Sequence, residues 1–276
     1  MPDCRLGHLT MRAWGSGNPK GQKGGPGPPF VAKAIMTAMD APSYSIQMAI
    51  FERFPGYVRG VVVAHDVING PSPETLTRLL RDAEQNVRDR LDLEHLTEDP
   101  HIKAWRDAYR SFGAKPSEYR SSIEAMARRA LRGDELPSIN ILVDIGNVIS
   151  LRHLLSAGGH AIDSLGGDIE LRFATGREAF VPLGSSEPEH PLPDEVVFVE
   201  GDMVLTRRWT WRQANHTLTL PQTTAIEFNV DGLPPVAADE VMTACRELAD
   251  LVRRFCGGTS RIELLSEANQ RISLAP

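Results

Sequence analysis

The sequence predicts an α+β fold, and the distribution of apolar residues along its 276 positions leads to that class. Short apolar runs typical of strands occur at 43–51, 56–64, 139–145, 168–174 and 196–200. Apolar side chains at helical spacing occur at 73–92, 98–132 and 237–256. These strands and helices do not alternate regularly, which argues against a doubly wound parallel sheet.

The helical segments carry start and stop signals. Ser121 precedes a helical stretch and Glu124 stands at capping-box distance from it. In the last segment Val241, Leu248 and Phe255 share one face with their apolar neighbours, and Gly257-Gly258 ends the pattern. We therefore expect the stretch 98–132 to form two helices and 237–256 to form one.

Two further patterns set the expected boundaries. Residues 1–42 are rich in Gly and Pro without any period, which predicts a disordered tail in front of a single α+β domain over 43–276. Residues 203–213 and 223–231 alternate enough to predict a hairpin-like pair.

The composition restricts the class of protein. A net charge of −6 argues against indiscriminate coating of nucleic acid. No apolar run approaches the ~20 residues of a membrane helix, and the N-terminus lacks the succession of a signal peptide, so we expect a cytoplasmic protein without membrane contact. The three cysteines share no metal-ligand spacing, which predicts no metal site and no disulfide framework.

The most informative stretch is 137–167. The apolar run 139–145 predicts a buried strand that Gly146-Asn147 breaks, and a glycine turn then presents His160 and, three residues later, Asp163. Side chains in such positions are held towards a cleft by a rigid scaffold. For Asp163 the pattern also fits hydrogen bonds to the amides of the Gly166-Gly167 turn.

This stretch resembles the editing domain of the bacterial phenylalanyl-tRNA synthetase β subunit. The matching residues are Asp144, Gly146, Asn147, His160, Ala161, Asp163, Gly166 and Gly167. The resemblance covers roughly residues 98 to 233, where Trp105-Arg106, Phe112-Gly113 and Lys115-Pro116 are similar to relatives that carry the domain without a synthetase. It implies a mixed or antiparallel sheet core, barrel-like or a sandwich, with flanking helices. It also implies hydrolysis of wrongly charged aminoacyl-tRNA.

The resemblance implies that His160 and Asn147 are the catalytic residues. Ester hydrolysis needs a water placed on the carbonyl and donors for the developing oxyanion. An imidazole can position that water, bond a ribose hydroxyl or act as a base. A carboxamide offers a donor and an acceptor without a charge. A histidine that only caps a turn is the alternative for His160.

A substrate pocket is expected where the sequence departs from the synthetase pattern. Trp211 stands at a pocket glycine of the synthetase family, and Asn229 stands at its tyrosine-reading glutamate, with Glu227 and Asp231 on the same strand face. Arg207 and Trp209 share the face of Trp211 if the segment is a strand. These six residues are the predicted substrate contacts. Core packing of the tryptophans and rim positions for the arginines remain the alternative.

Basic residues outnumber acidic ones between Lys103 and Arg132, and such a run can follow a phosphate backbone. The predicted tRNA contacts are Arg106, Arg120, Arg128 and Arg129. A solvated helix face with ion pairs explains the same pattern.

The sequence therefore predicts an aminoacyl-tRNA deacylase that removes wrongly attached amino acids and needs no cofactor. Its expected partner is tRNA or an aminoacyl-adenosine-like ligand. Two alternatives stay open: transfer of the aminoacyl group to a small-molecule amine, and a non-catalytic module that binds tRNA or an amino-acid derivative. The oligomeric state, the amino acid and the tRNA are also left open.

Overall fold

The computed structural model describes residues 41–276, so all but the last two residues of the predicted tail lie outside the described residues. The described strands are β1 (Ser43–Ile46), β2 (Val58–His65), β3 (Ser156–Ala161), β4 (Ile169–Phe173), β5 (Val196–Glu200), β6 (Met203–Arg207), β7 (Arg212–Gln213), β8 (Ala225–Gly232), β9 (Thr259–Leu265) and β10 (Arg271–Ser273). The α-helices are α1 (Met48–Arg53), α2 (Glu74–Arg90), α3 (Pro100–Ser111), α4 (Ser122–Leu131), α5 (Ile141–His153) and α6 (Ala238–Cys256).

The strands form two open sheets. The larger has the order β10-β1-β4-β5-β6-β7 and is mixed, because β1 and β4 run parallel while the other pairs are antiparallel. The smaller has the order β3-β8-β2-β9 and is antiparallel throughout. The α+β class is confirmed, and neither sheet closes on itself, so neither forms a barrel.

Several predicted helices are confirmed, and their capping residues explain where they begin and end. The stretch 98–132 contains α3 and α4, and the Ser121 side chain accepts a hydrogen bond from the Glu124 amide at the start of α4. Helix α6 ends at Cys256, and Gly257 follows with φ +65°. Helix α6 packs against β2 and β9 and covers the outer side of the smaller sheet.

The prediction of a strand at 139–145 is wrong. Asn140 accepts a hydrogen bond from the Val143 amide and begins α5, a helix that includes Asn147 and ends before Leu154 with φ +53°. Helix α5 packs against α2, α6 and β3, so most of its circumference is buried. A helix that is apolar all round has no amphipathic period, and its sequence therefore reads like a buried strand.

Two other predictions fail. The apolar residues after Ile46 form α1 and do not continue β1. The expected pairing of 203–213 with 223–231 does not occur, because β6 belongs to the larger sheet and pairs with β5 and β7, while β8 lies in the smaller one. Every residue of β8 is buried, and the strand lies between β3 and β2 in the smaller sheet.

Candidate functional site

A cavity of about 470 Å³ opens beside β3, one of the two edge strands of the smaller sheet. Its walls come from α5, the turn between β6 and β7, the segment Leu218–Leu220 and the strands β2, β3 and β8. This volume lies in the range of sites for small ligands. A more open groove of about 640 Å³ beside α1 and α3 contains none of the predicted site residues.

The structure brings six of the eight predicted catalytic and substrate residues to this cavity. They are His160, Asn147, Trp209, Trp211, Asn229 and Asp231. Arg207 and Glu227 are not among its lining residues. The resemblance thus predicted that residues more than 80 positions apart lie close together, although the helix that carries Asn147 was predicted as a strand.

His160 lies within β3 and is 3 % exposed, so it does not sit on a glycine turn as predicted. Its Nδ1 is 2.5 Å from Thr217 Oγ1 and its Nε2 is 3.2 Å from Thr206 Oγ1. Burial, with further contributions from Arg59 and His216, lowers the pKa of His160 to about 3. The imidazole is therefore neutral and is a poor proton acceptor near neutral pH.

Asn147 differs from His160 because its side chain makes no hydrogen bond to residues 41–276. It projects from α5, is half-buried, and its carboxamide has no hydrogen-bond partner within residues 41–276. The resemblance identified the residue, although the helix that carries it was predicted as a strand. The carboxamide is free to bind a ligand in the cavity.

Two glycines of β3 keep the cavity open. A Cβ at Gly158 would lie 3.5 Å from Asn229 Oδ1, so any longer side chain at that position would extend over Asn229. A Cβ at Gly159 would come within 3.0 Å of the Glu227 carbonyl oxygen. The sequence predicted a turn at this glycine pair. In the structure both glycines lie within β3, where the absence of side chains leaves space for the cavity.

Asn229 and Asp231 of β8 line the far side of the cavity, and Glu227 lies on the same strand beside them. Glu227, Asn229 and Asp231 share one face, as their spacing predicts. The Asn229 Nδ2 donates to Glu227 Oε1 at 3.2 Å, while burial raises the pKa of Glu227 well above its usual range. Because its amide nitrogen is used by Glu227, Asn229 can offer the cavity its carbonyl oxygen as an acceptor.

Asp231 has partners of its own. It accepts hydrogen bonds from Tyr57 Oη at 2.5 Å and from Arg59 Nε at 2.6 Å. Arg59 also donates to the hydroxyl of Tyr44 in the larger sheet. This buried group links the two sheets, and only the Asp231 member of it was predicted.

The segment predicted as a strand with Arg207, Trp209 and Trp211 on one face contains a turn. Arg208 and Trp209 have φ values of +45° and +64°, in the left-handed region that side chains rarely adopt. Trp209 is consequently directed into the core, where its ring packs edge-on against Trp105 at 5.2 Å. The half-buried Trp211 remains as the indole on the cavity wall.

The two arginines of this turn have structural partners. Arg207 donates to both Glu195 oxygens at 2.8 Å and to Glu189. The guanidinium of Arg208 lies 3.7 Å from the Tyr119 ring centre and 4.5 Å from that of Trp211. Arg208 therefore supports the indole of Trp211 through cation–π contacts, a role that the alternation pattern did not indicate.

The arginines proposed as tRNA contacts are largely paired inside the protein. Arg106 Nη1 and Arg128 Nε bind Glu124 Oε1 at 2.8 and 2.9 Å, and Arg120 Nε lies 3.9 Å away from the same atom. Glu124 is fully buried, so these arginines neutralise a core carboxylate. Arg129 is exposed and donates to the Glu135 carbonyl oxygen.

Asp163 binds backbone amides, but not those of the Gly166-Gly167 turn. Its Oδ2 accepts hydrogen bonds from the amides of Thr224 at 2.5 Å and Ala225 at 3.0 Å. These contacts fasten the end of the segment 214–224, whose residues Leu218–Leu220 line the cavity. Thr206 of β6, Gln213 of β7 and the loop residue Thr217 complete the polar network around His160. The sequence did not predict these contacts, because they join residues from separate segments of the chain.

Within residues 41–276 no group of three or more His, Cys, Asp or Glu side chains could hold a metal ion. None of the helices in this part of the chain is both long and apolar enough to cross a bilayer.

Comparison with known proteins identifies the family. Residues 104–257 match the B3/4 domain, a domain of the phenylalanyl-tRNA synthetase β-subunit family. The chain belongs to the B3/4 domain family. The matched region contains α4, α5, β3, β8 and the turn that carries Trp211, and it includes every predicted catalytic, substrate and tRNA residue.

One similar solved structure is an N-terminal fragment of the phenylalanyl-tRNA synthetase beta-subunit from Pyrococcus horikoshii. The two share 13 % identity with a TM-score of 0.37, over 79 % of this chain and 49 % of the other. This chain thus spans about half the length of that fragment. No curated protein matches the sequence.

Proposed function

We propose that this protein hydrolyses the ester bond of aminoacyl-tRNA and so removes wrongly attached amino acids. The observation that carries the proposal is the cavity of about 470 Å³ in a B3/4 domain, into which Asn147 projects with an unengaged carboxamide. A neutral donor and acceptor suits an ester, which carries no charge in the ground state.

The cavity also offers surfaces for the two parts of an aminoacyl-adenosine end. Trp211, supported by Arg208 behind it, presents an indole on which a base can stack. Leu142, Val143 and Phe228 form an apolar wall suited to an amino-acid side chain. The acceptor oxygen of Asn229 can bind the ammonium group or another donor of the amino acid.

The neutral state of His160 limits its part in the reaction. With its pKa lowered to about 3 by burial, the imidazole cannot serve as an efficient base at neutral pH. We assign it the role of holding Thr206 and Thr217, and with them the loop that covers the cavity. The vicinal ribose hydroxyl of the substrate can then assist the attacking water.

The region that contacts tRNA outside the cavity is proposed to include Arg120, whose side chain is 41 % exposed, and Arg129. Arg106 and Arg128 are less accessible, since their side chains are 17 % and 18 % exposed and bind Glu124. A phosphate backbone can therefore be approached only by part of the basic run.

The test is deacylation of each of the twenty aminoacyl-tRNAs and of mischarged pairs, measured as loss of precipitable labelled amino acid. At least one substrate should be deacylated by the wild type, and Asn147→Ala should reduce kcat/KM for it at least tenfold (about 1.4 kcal/mol) with an unchanged melting temperature. Asn86→Ala, the same substitution at an exposed position of α2, is the matched control and should leave the rate unchanged.

Three results would contradict the proposal in different ways. Equal rates for Asn147→Ala and wild type would remove the carboxamide from the mechanism. Retention of the label on a small-molecule amine would favour aminoacyl transfer. Saturable binding of aminoacyl-tRNA without turnover of any substrate would indicate a binding module.

A further inference from the structure

The free edge of β3 carries a backbone group that the proposed mechanism has not used. In an antiparallel strand the N–H and C=O of one residue point to the same side, and alternate residues point to opposite sides. The Ala157 amide donates to Ser150 Oγ at 3.1 Å and the Ala161 amide donates to the Thr217 carbonyl at 3.1 Å, both away from β8. Residues 157, 159 and 161 therefore direct their backbone groups to the free edge.

Gly159 is the middle member of this series. Its carbonyl oxygen accepts a hydrogen bond from Gln213 Nε2 at 3.1 Å on the free edge. Its N–H points to the same edge, yet among residues 41–276 it has no acceptor. The amides on either side are bonded, so the gap in the series coincides with the cavity that Gly159 lines.

The residue at this position is glycine because β8 approaches it closely. Any Cβ at position 159 would lie 3.0 Å from the Glu227 carbonyl oxygen and 3.1 Å from both Ile226 Cδ1 and Phe228 Cδ1. The neighbouring residue is also glycine and is exposed, so no side chain shields the amide from the cavity. A donor on a strand that is hydrogen-bonded along its other side is held rigidly, as stabilisation of a transition state requires.

We propose that the Gly159 N–H stabilises the oxyanion formed during hydrolysis of the aminoacyl ester, an inference that rests on the deacylase function proposed above. The water oxygen bonds to the ester carbon while the C=O electron pair moves onto the carbonyl oxygen, which accepts the Gly159 N–H. When the C=O bond re-forms, the bond to the ribose oxygen breaks, and that oxygen takes up a proton released by the water.

The test replaces Gly159 with glycolate in the full chain, which exchanges the N–H for an oxygen and adds no side chain. Loss of one oxyanion donor typically lowers kcat by about 10²- to 10³-fold, and KM should stay within about twofold. The control is the same exchange at Gly133, whose amide donates to the Ala130 carbonyl at the end of α4, outside the cavity. That protein should deacylate at the wild-type rate.

The outcomes separate the two proposals. Unchanged kcat at position 159, or a raised KM with unchanged kcat, overturns the oxyanion role while deacylation by the wild type stands. A wild-type protein that deacylates no substrate overturns both.

If the glycolate protein does not fold, a second measurement decides. The wild-type protein is crystallised with a phosphonate analogue of an aminoacyl-adenosine ester. A phosphonyl oxygen 2.7–3.1 Å from the Gly159 nitrogen supports the proposal, and its absence from that position overturns it.

Discussion

The chemistry of His160 is decided by its surroundings rather than by its residue type. The imidazole lies between two threonine hydroxyls, one from β6 and one from the loop before β8, and is shielded from solvent. A histidine in a recognisable motif is readily interpreted as a base, but a base must bind a proton in the working pH range. Here burial prevents that, so Asn147 and the backbone of β3 are the groups that we propose act on the ester.

The lowered pKa of His160 makes the stability of the protein depend on pH. From about pH 6.5 down to about 3 the unfolded chain protonates this histidine while the folded chain does not, so stability falls as the pH is lowered through that range. The limiting slope for one such group is about 1.4 kcal/mol per pH unit. The free energy of unfolding, measured with urea, should fall more between pH 7 and pH 5 for the wild type than for His160→Gln. Identical losses would place the His160 pKa near its ordinary value.

At the scale of elements, two close contacts position the smaller sheet. Gly60 of β2 allows α6 to approach, because a Cβ there would overlap Cys245 Sγ and lie 2.8 Å from Val241 Cγ1. Gly232 of β8 contacts the same helix, since its added Cβ would lie 2.6 Å from Val241 Cγ2. The far face of the sheet is thereby fixed against α6, and its polar face is directed towards the cavity and the larger sheet.

Gly60→Ala should destabilise the protein by about 1–3 kcal/mol, since the added methyl group must displace α6 from β2. Combining it with Cys245→Ala should recover part of the loss, because the overlapping sulfur is removed. Gly70→Ala is the matched control, as nothing lies within 4 Å of its added Cβ. Thermal unfolding of the four proteins measures these effects. If Gly60→Ala unfolds at the wild-type melting temperature, α6 is not in close contact with β2.

At the scale of the whole molecule, the buried Arg59 connects the two sheets while it is paired with Asp231. Arg59 and Asp231 lie on neighbouring strands of the smaller sheet, and the guanidinium stands 5.5 Å from the ring centre of Phe198 in the larger sheet. Both residues also line the cavity, so the same contact that holds the sheets together shapes the candidate site. A change to either residue is therefore expected to alter both the stability of the protein and the shape of the cavity.

Arg59→Met should cost about 3–5 kcal/mol, because it leaves the Asp231 carboxylate buried without its cation. The double variant Arg59→Met/Asp231→Leu should be more stable than the single variant, since no unpaired charge remains. Urea denaturation of both proteins provides the comparison. If Asp231→Leu lowers the free energy of unfolding further instead of raising it, the Arg59–Asp231 pair is not the dominant interaction of these residues.

Local patterns were sufficient for much of the fold. Helices α2, α3, α4 and α6 follow from amphipathic spacing and capping residues, because such signals act within a few turns of chain. Helix α5 was not predicted, because it is buried on most sides and its sequence therefore shows no alternation of apolar and polar residues at helical spacing. The turn at Arg208 and Trp209 was missed because left-handed backbone at two residues with large side chains carries no sequence signal.

The sequence by itself determined the α+β class, the family resemblance and eight candidate site residues, of which six line the cavity. It could do so because residue types and their spacing along the chain are local information. Only the tertiary structure decided which of those residues are free to act. It placed Trp209 in the core and Arg207 in ion pairs, made His160 neutral by burial, and left Asn147 and the Gly159 amide unengaged. Burial and hydrogen-bond partners depend on contacts between distant segments, and these exist only after the chain has folded.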